Sequence, residues 1–93
     1  MTGVVWTEPA LRHLEAIRTY IAQFNPLAAR DVAAGLTALG DSLNHFPQHG
    51  RPVRGTNMRE LISTYPYINR YFIEGDTVVI LRVRHTSRRL TTP

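Results

Sequence analysis

Six apolar residues in the middle of the chain recur at steps of three and four: Ala29, Val32, Leu36, Leu39, Leu43 and Phe46. That spacing lays one apolar stripe along a helix and excludes a strand, whose faces alternate every second residue. Upstream, Ala10, Leu14, Ile17, Ile21 and Phe24 form a second stripe of the same period. Only Asn25-Pro26 stands at the joint. Asn25 caps a helix start, and Pro26 suits a first helical position, where its missing N–H costs no bond. Two amphipathic helices with so short a joint must fold back as an antiparallel hairpin. Thr7 and Pro9 repeat the cap-and-proline signal ahead of the first helix, while Arg12, Glu15, Arg18 and Thr19 fall off its stripe and face water. Gly35 and Gly40 weaken the second helix, by about 1 kcal/mol each relative to Ala, and suit close packing against a neighbour.

The rest reads as strands. Val4, Val5 and Trp6 form a short first strand. Pro47, Gly50, Pro52 and Gly55 break all periodicity, so residues 47–57 read as one irregular loop. Three β-branched and aromatic runs follow, Met58–Ile62, Tyr67–Glu74 and Thr77–His85, the last two joined by a Gly75-Asp76 turn that predicts a hairpin. In the last run Val79, Leu81 and Val83 alternate with Val78, Ile80, Arg82 and Arg84. One face therefore reads as apolar throughout, and the other turns from apolar to basic as it leaves the core. Residues 88–93 read as a frayed tail. The order β-α-α-β-β-β predicts a single α+β domain over residues 1–93, with the helical hairpin packed on a mostly antiparallel sheet.

Charge is placed unevenly. The chain has 93 residues and a formal net charge of +4, and its basic side chains other than histidine are all Arg. Residues 1–50 carry Arg12, Arg18 and Arg30 against Glu8, Glu15, Asp31 and Asp41; the remainder carries Arg51, Arg54, Arg59, Arg70, Arg82, Arg84, Arg88 and Arg89 against Glu60, Glu74 and Asp76. A GC-rich genome would account for Arg in place of Lys but not for the clustering. Such a field favours an anionic partner, either nucleic acid or an acidic protein segment. Cysteine is absent, which excludes disulfides and suits a reducing cytoplasm. Apolar runs are too short for a signal peptide or a membrane span. His13, His45 and His49 lack metal-ligand spacing, and neither a phosphate-binding glycine loop nor a nucleophile motif is present; no cofactor is expected.

Several local motifs carry a resemblance. Trp6-Thr7-Glu8-Pro9-Ala10 with Leu14, Ile17 and Tyr20-Ile21, then Phe46-Pro47 with Gly50-Arg51-Pro52-Val53, then Arg59-Glu60-Leu61, Tyr67-Ile68, Arg70-Tyr71 and Val79-Ile80-Leu81-Arg82-Val83-Arg84-His85 resemble, in order, the ParE/RelE toxins of type II toxin–antitoxin modules. The resemblance covers roughly residues 3–89. It implies a cytoplasmic toxin held in a hetero-oligomer by an antitoxin whose C-terminal segment wraps it and whose N-terminal part binds operator DNA. The ParE branch, which the Arg-Val-Arg-His ending favours, implies inhibition of DNA gyrase and a ParD-like antitoxin of ribbon-helix-helix type. The RelE branch implies ribosome-dependent mRNA cleavage. A basic binding module without catalysis is the third reading.

RNA cleavage needs a base, an acid and cations around one phosphate. His85, Glu60 and Arg82 are the candidates for those roles. The ribonuclease branch, however, places an Arg three residues before the third-strand Tyr, where this chain has Ile68 before Tyr71, and it carries lysines that this chain lacks. Arg82, Arg84, His85, Arg88 and Arg89 are the candidate contacts to a target. Leu11 and Leu27, which lie off the stripes, are candidates for antitoxin contact together with Arg70, Arg82 and Arg84. Plainer roles stand beside these: an ion pair of Glu60 with the neighbouring strand arginines, an exposed Arg70–Glu74 pair, a strand-ending His85 bonded to a carbonyl, and packing for Trp6, Tyr65, Tyr67 and Tyr71.

Overall fold

Thr7 begins the first helix as its sequence suggests. Its hydroxyl oxygen accepts the Ala10 N–H at 3.4 Å and its own proton goes to the Ile80 carbonyl at 2.8 Å. The computed structural model describes residues 3–63 and 66–86. In chain order these form β1 (Gly3–Trp6), α1 (Glu8–Ala22), α2 (Pro26–Asp41), a 3-10 turn (Ser42–Asn44), β2 (Arg51–Pro52), β3 (Met58–Ile62), β4 (Tyr67–Glu74) and β5 (Thr77–His85). Asn25 caps α2 by accepting the Ala28 N–H at 3.1 Å. The five strands make one sheet in the order β1-β5-β4-β3-β2. Only β1 and β5 run parallel, so the α+β, mostly antiparallel expectation holds. Gly75 closes the β4–β5 hairpin at φ 62°, a left-handed conformation that glycine adopts without strain.

Helices cover one sheet face. Its core contains Ala10, Leu43, Leu61, Tyr71, Val78 and Ile80, with Val4, Trp6, Leu39 and Ile73 packed against them. Trp6 crosses over Gly40 so closely that a Cβ there would lie 2.4 Å from the indole Cζ2, which bears out the close-packing role for that glycine. Tyr71 is fully buried. Its hydroxyl donates to the Pro47 carbonyl at 2.8 Å and accepts the Gly50 N–H at 2.8 Å, tying the loop after α2 to the sheet.

Three expectations need correction. Residues 47–57 are not wholly irregular: Arg51 and Pro52 form an edge strand, paired Arg51↔Glu60 and Pro52↔Arg59, where proline's missing N–H costs the ladder nothing. The apolar stripes do not run to their predicted ends. Phe24 and Phe46 are 73% and 65% exposed, the first past the end of α1 and the second past the 3-10 turn, whose tighter winding rotates it off the stripe. Strict alternation in β5 also fails. Arg70 pairs with Arg82 but Tyr71 pairs with Ile80, so Leu81 is an extra residue in a bulge. The inward side is therefore Val78, Ile80 and then Val83, and Arg82 and Arg84 turn to the side away from the helices.

Two substitutions check this packing. Gly40→Ala gains helix propensity but forces Trp6 and Ile80 apart, a net destabilisation of about 1 kcal/mol. Thermal unfolding followed by fluorescence of Trp6, the only tryptophan, measures it. Tyr71→Phe leaves the Gly50 N–H and the Pro47 carbonyl unpaired and lowers stability by about 1–3 kcal/mol in urea denaturation.

Candidate functional site

Cross-strand partners project to the same side of a sheet, and this sorts the candidates. Asn69 donates to the Leu36 carbonyl of α2 at 3.4 Å, so Asn69, with its partners Leu61 and Val83, faces the helices. Its neighbour Arg70 faces the opposite way, in a row with Glu60 and Arg82, and Arg84 is next to that row opposite Ile68. This outer face is apolar at one end, with Val5, Phe72 and Val79, and cationic at the other.

At the cationic end Glu60 is nearly buried, with 7% of its surface exposed. Its Oε2 accepts from Arg70 Nε at 3.1 Å, from Arg70 Nη2, and from Arg84 Nη2 at 2.7 Å, while Arg51 Nη2 stands 4.0 Å from Oε1. The ion pair foreseen for Glu60 is present, and the foreseen Arg70–Glu74 pair is replaced by it: the β3–β4 register sets Glu60 directly across from Arg70. Burial pushes the Glu60 carboxyl up, but the hydrogen bonds and charges of Arg70 and Arg84 outweigh it and hold the pKa below the ordinary value. Arg84 is mostly buried, and its Nη1 finds no hydrogen-bond partner among the described residues. Arg82 is exposed.

His85 belongs to the other side. It stands opposite Tyr67, with the two rings edge-on at 5.2 Å; Tyr67 alternates in step with Asn69 and Tyr71. Glu60 and His85 are thus not brought together, whereas Glu60, Arg70, Arg82 and Arg84 are. Arg88, Arg89 and Tyr65 lie outside the described residues. The histidine that does act in the framework, His13, gave no sequence signal beyond its place on α1. Its Nδ1 accepts the Val83 N–H at 3.4 Å, where β5 has run past the end of β1. Burial, then Arg82 and Arg12, lower its pKa and keep it the neutral acceptor this bond requires.

The hairpin candidates are exposed but apart. Leu11 is near the start of α1; Leu27 is at the start of α2, close in sequence to Phe24, whose ring meets Tyr20 edge-on at 5.5 Å. Leu11, Tyr20, Phe24 and Leu27 are 50–73% exposed. About 18 Å of helix separates Leu11 from the hairpin tip. The apolar pair Tyr20 and Phe24 was not singled out by periodicity, because Phe24 continues the stripe by count while lying beyond the helix. Among the described residues no group of His, Cys, Asp and Glu could hold a metal, and no helix is long and apolar enough to cross a membrane.

Comparison with known proteins agrees with this architecture. Residues 4–90 match the family model described as ParE toxin of type II toxin-antitoxin system, parDE. Toxin RelE2 of Caulobacter vibrioides is 47% identical over 88 residues, covering 95% of this chain and 99% of the relative. A solved structure from the chromosomal ParDE system of P. aeruginosa superposes with a TM-score of 0.84 at 22% identity, over 91% of this chain and 96% of that one. The solution structure of HP0894 from Helicobacter pylori superposes at 0.57 with 15% identity, over 94% and 97%. At those identities the two structures speak for the fold. The family model and the Caulobacter relative, each spanning nearly the whole chain, show more: this chain belongs to the ParE toxin family of type II toxin–antitoxin systems.

Proposed function

We propose that this chain acts in the cytoplasm as a ParE-like inhibitor of DNA gyrase, without catalysis of its own. A ParD-like antitoxin with a ribbon-helix-helix part neutralises it, and operator DNA is reached only through that antitoxin. The observation that carries this reading is the disposition of Glu60 and His85. A cleavage site needs its acid and base around one phosphate, but these two face opposite sides of the sheet, and Glu60 is already engaged by Arg70 and Arg84. What the outer face offers instead is fixed positive charge suited to docking on an acidic or phosphate-rich surface. Arg82 is exposed on it and Arg84 lies beside Arg82's row; His85, on the other side of the sheet, and Arg88 and Arg89, outside the described residues, are the further proposed target contacts. On the antitoxin side, Leu11 and Leu27 with Tyr20 and Phe24 offer apolar anchors for an amphipathic helix. Arg70, Arg82 and Arg84 offer the charge for its acidic stretch.

The name of the Caulobacter relative, Toxin RelE2, keeps mRNA cleavage as the second reading. Both are tested together by adding the pure protein to gyrase supercoiling reactions and to translating ribosomes. Inhibited supercoiling with intact mRNA is expected, and Arg82→Glu weakens inhibition about tenfold, or about 1.4 kcal/mol. Cleaved mRNA with normal supercoiling overturns the proposal.

Glu60→Gln separates a structural from a chemical role for that residue. The substitution leaves Arg70 and Arg84 without their countercharge and lowers stability by about 2 kcal/mol. Because the carboxyl titrates below its ordinary value when folded, the unfolded chain takes up its proton first as pH falls. The stabilisation from Glu60 is thus complete above about pH 5 and drains away as pH drops through about 4.3 toward the folded value. Denaturation midpoints measured across that range fall for the wild type and flatten for Glu60→Gln.

A further inference from the structure

We infer that the turn after α2 is a preformed docking knob for an acidic protein segment that carries an apolar side chain. The turn is held by six hydrogen bonds to its backbone. Phe46 N–H donates to the Ser42 carbonyl at 3.2 Å, and His49 N–H to the Phe46 carbonyl at 3.0 Å. Tyr71 binds the Pro47 carbonyl and the Gly50 N–H. Arg59 Nη1 donates to the carbonyls of Gln48 at 3.3 Å and Gly50 at 2.6 Å. Gly50 is buried so tightly that a Cβ there would meet the Tyr71 ring at 2.7 Å.

On this fixed backbone Phe46 stands 65% exposed, with His45 edge-on at 6.4 Å. Phe46, Pro47, Gln48 and His49 line a shallow apolar groove. A large apolar side chain on a backbone fixed before any partner arrives leaves less to be ordered on binding, which is the usual character of an interface anchor. The turn is also remote from the hairpin tip: α2 alone, at 16 residues, sets about 24 Å between Leu27 and the turn. It is therefore a separate surface from the Tyr20, Phe24 and Leu27 patch.

Charge identifies the occupant. Between Ser42 and Arg59 the sequence has no Asp or Glu but has Arg51, Arg54, Arg59, His45 and His49. The surface around the groove is thus complementary to carboxylates. A protein segment fits better than nucleic acid, because no arginine among the described residues lines the groove itself. Phe46 and Pro47 give it an apolar lining suited to a side chain rather than to a phosphate.

The test is a titration of the ¹⁵N-labelled protein, followed by amide chemical shifts, with a short synthetic peptide of alternating Asp and Leu around one Trp. Saturable shifts confined to residues 45–51 are expected. They weaken about tenfold in Phe46→Ser, whose melting temperature stays at the wild-type value because the side chain is exposed, and they weaken again when Asn replaces the peptide's Asp. Shifts of the same residues with a short oligothymidylate but not with the peptide overturn the inference in favour of nucleic acid. Shifts that grow with protein concentration alone overturn it in favour of self-association. Peptide shifts only at the hairpin tip, or none at millimolar peptide, overturn it outright.

Discussion

The bulge at Leu81 decides which side of the sheet the arginines occupy. In an unbroken strand, Arg82 and Arg84 would share a face with Val78 and Ile80, both fully buried. Two guanidinium groups would then enter the layer between sheet and helices, at a cost of several kcal/mol each. One extra residue reverses the alternation. Val83 takes the inward position across from Asn69, and the arginines face outward. The chain secures that point from the side. Thr7 gives its hydroxyl proton to the Ile80 carbonyl, and His13 accepts the Val83 N–H, so α1 clips β5 on both sides of the bulge. Helix start, bulge and cationic face are one assembly.

Glu60 completes it. With the arginines turned outward, Arg70 and Arg84 would still stand close together on a partly covered face. Their repulsion is relieved by a single carboxylate placed by the β3–β4 register. Such a buried pair contributes little net stability, because desolvation offsets most of the attraction. Its effect is orientation: Arg70 and Arg84 are held in place, surplus positive charge remains, and Arg82 is left exposed. The same engagement removes Glu60 from service as a base, since a carboxylate already accepting from two guanidinium groups is a poor proton acceptor.

Much of this was legible in the sequence, and the omissions share a cause. The helices, both caps and the β4–β5 turn are local, written in period, cap residue and glycine, and all appear as read from Thr7, Asn25 and Gly75. The bulge is not local. Nothing in Val78 to Arg84 marks Leu81 as extra; only the partner strand, through the Arg70 and Tyr71 register, defines it. The edge strand Arg51–Pro52 is likewise two residues in a proline-rich loop, recognisable only by pairing with Arg59 and Glu60. Phe46 continued the stripe by count, but counting assumes about 3.6 residues per turn, and the 3-10 turn winds at about 3.0. Arg70 found Glu60 across the sheet rather than Glu74 along its own strand, because partners across a ladder are closer than residues four apart on one strand.

The residues left outside the core then follow a pattern. Phe24, Leu27 and Tyr20 are at the hairpin tip, Phe46 beyond the other end of α2, and Val5 on the outer sheet face with Ile62, all about half exposed or more. So small a domain already buries a modest share of its surface, and apolar groups left in water forgo stabilisation it has reason to use. A single flat interface cannot cover them, since the tip and the turn are separated by the full length of α2 and the outer face points away from both helices. Covering them all would take either a partner that wraps or partners that take different faces. A type II toxin has to bind an antitoxin as well as act, and a fold with its apolar anchors spread over three sides has room for one contact that silences and another that acts.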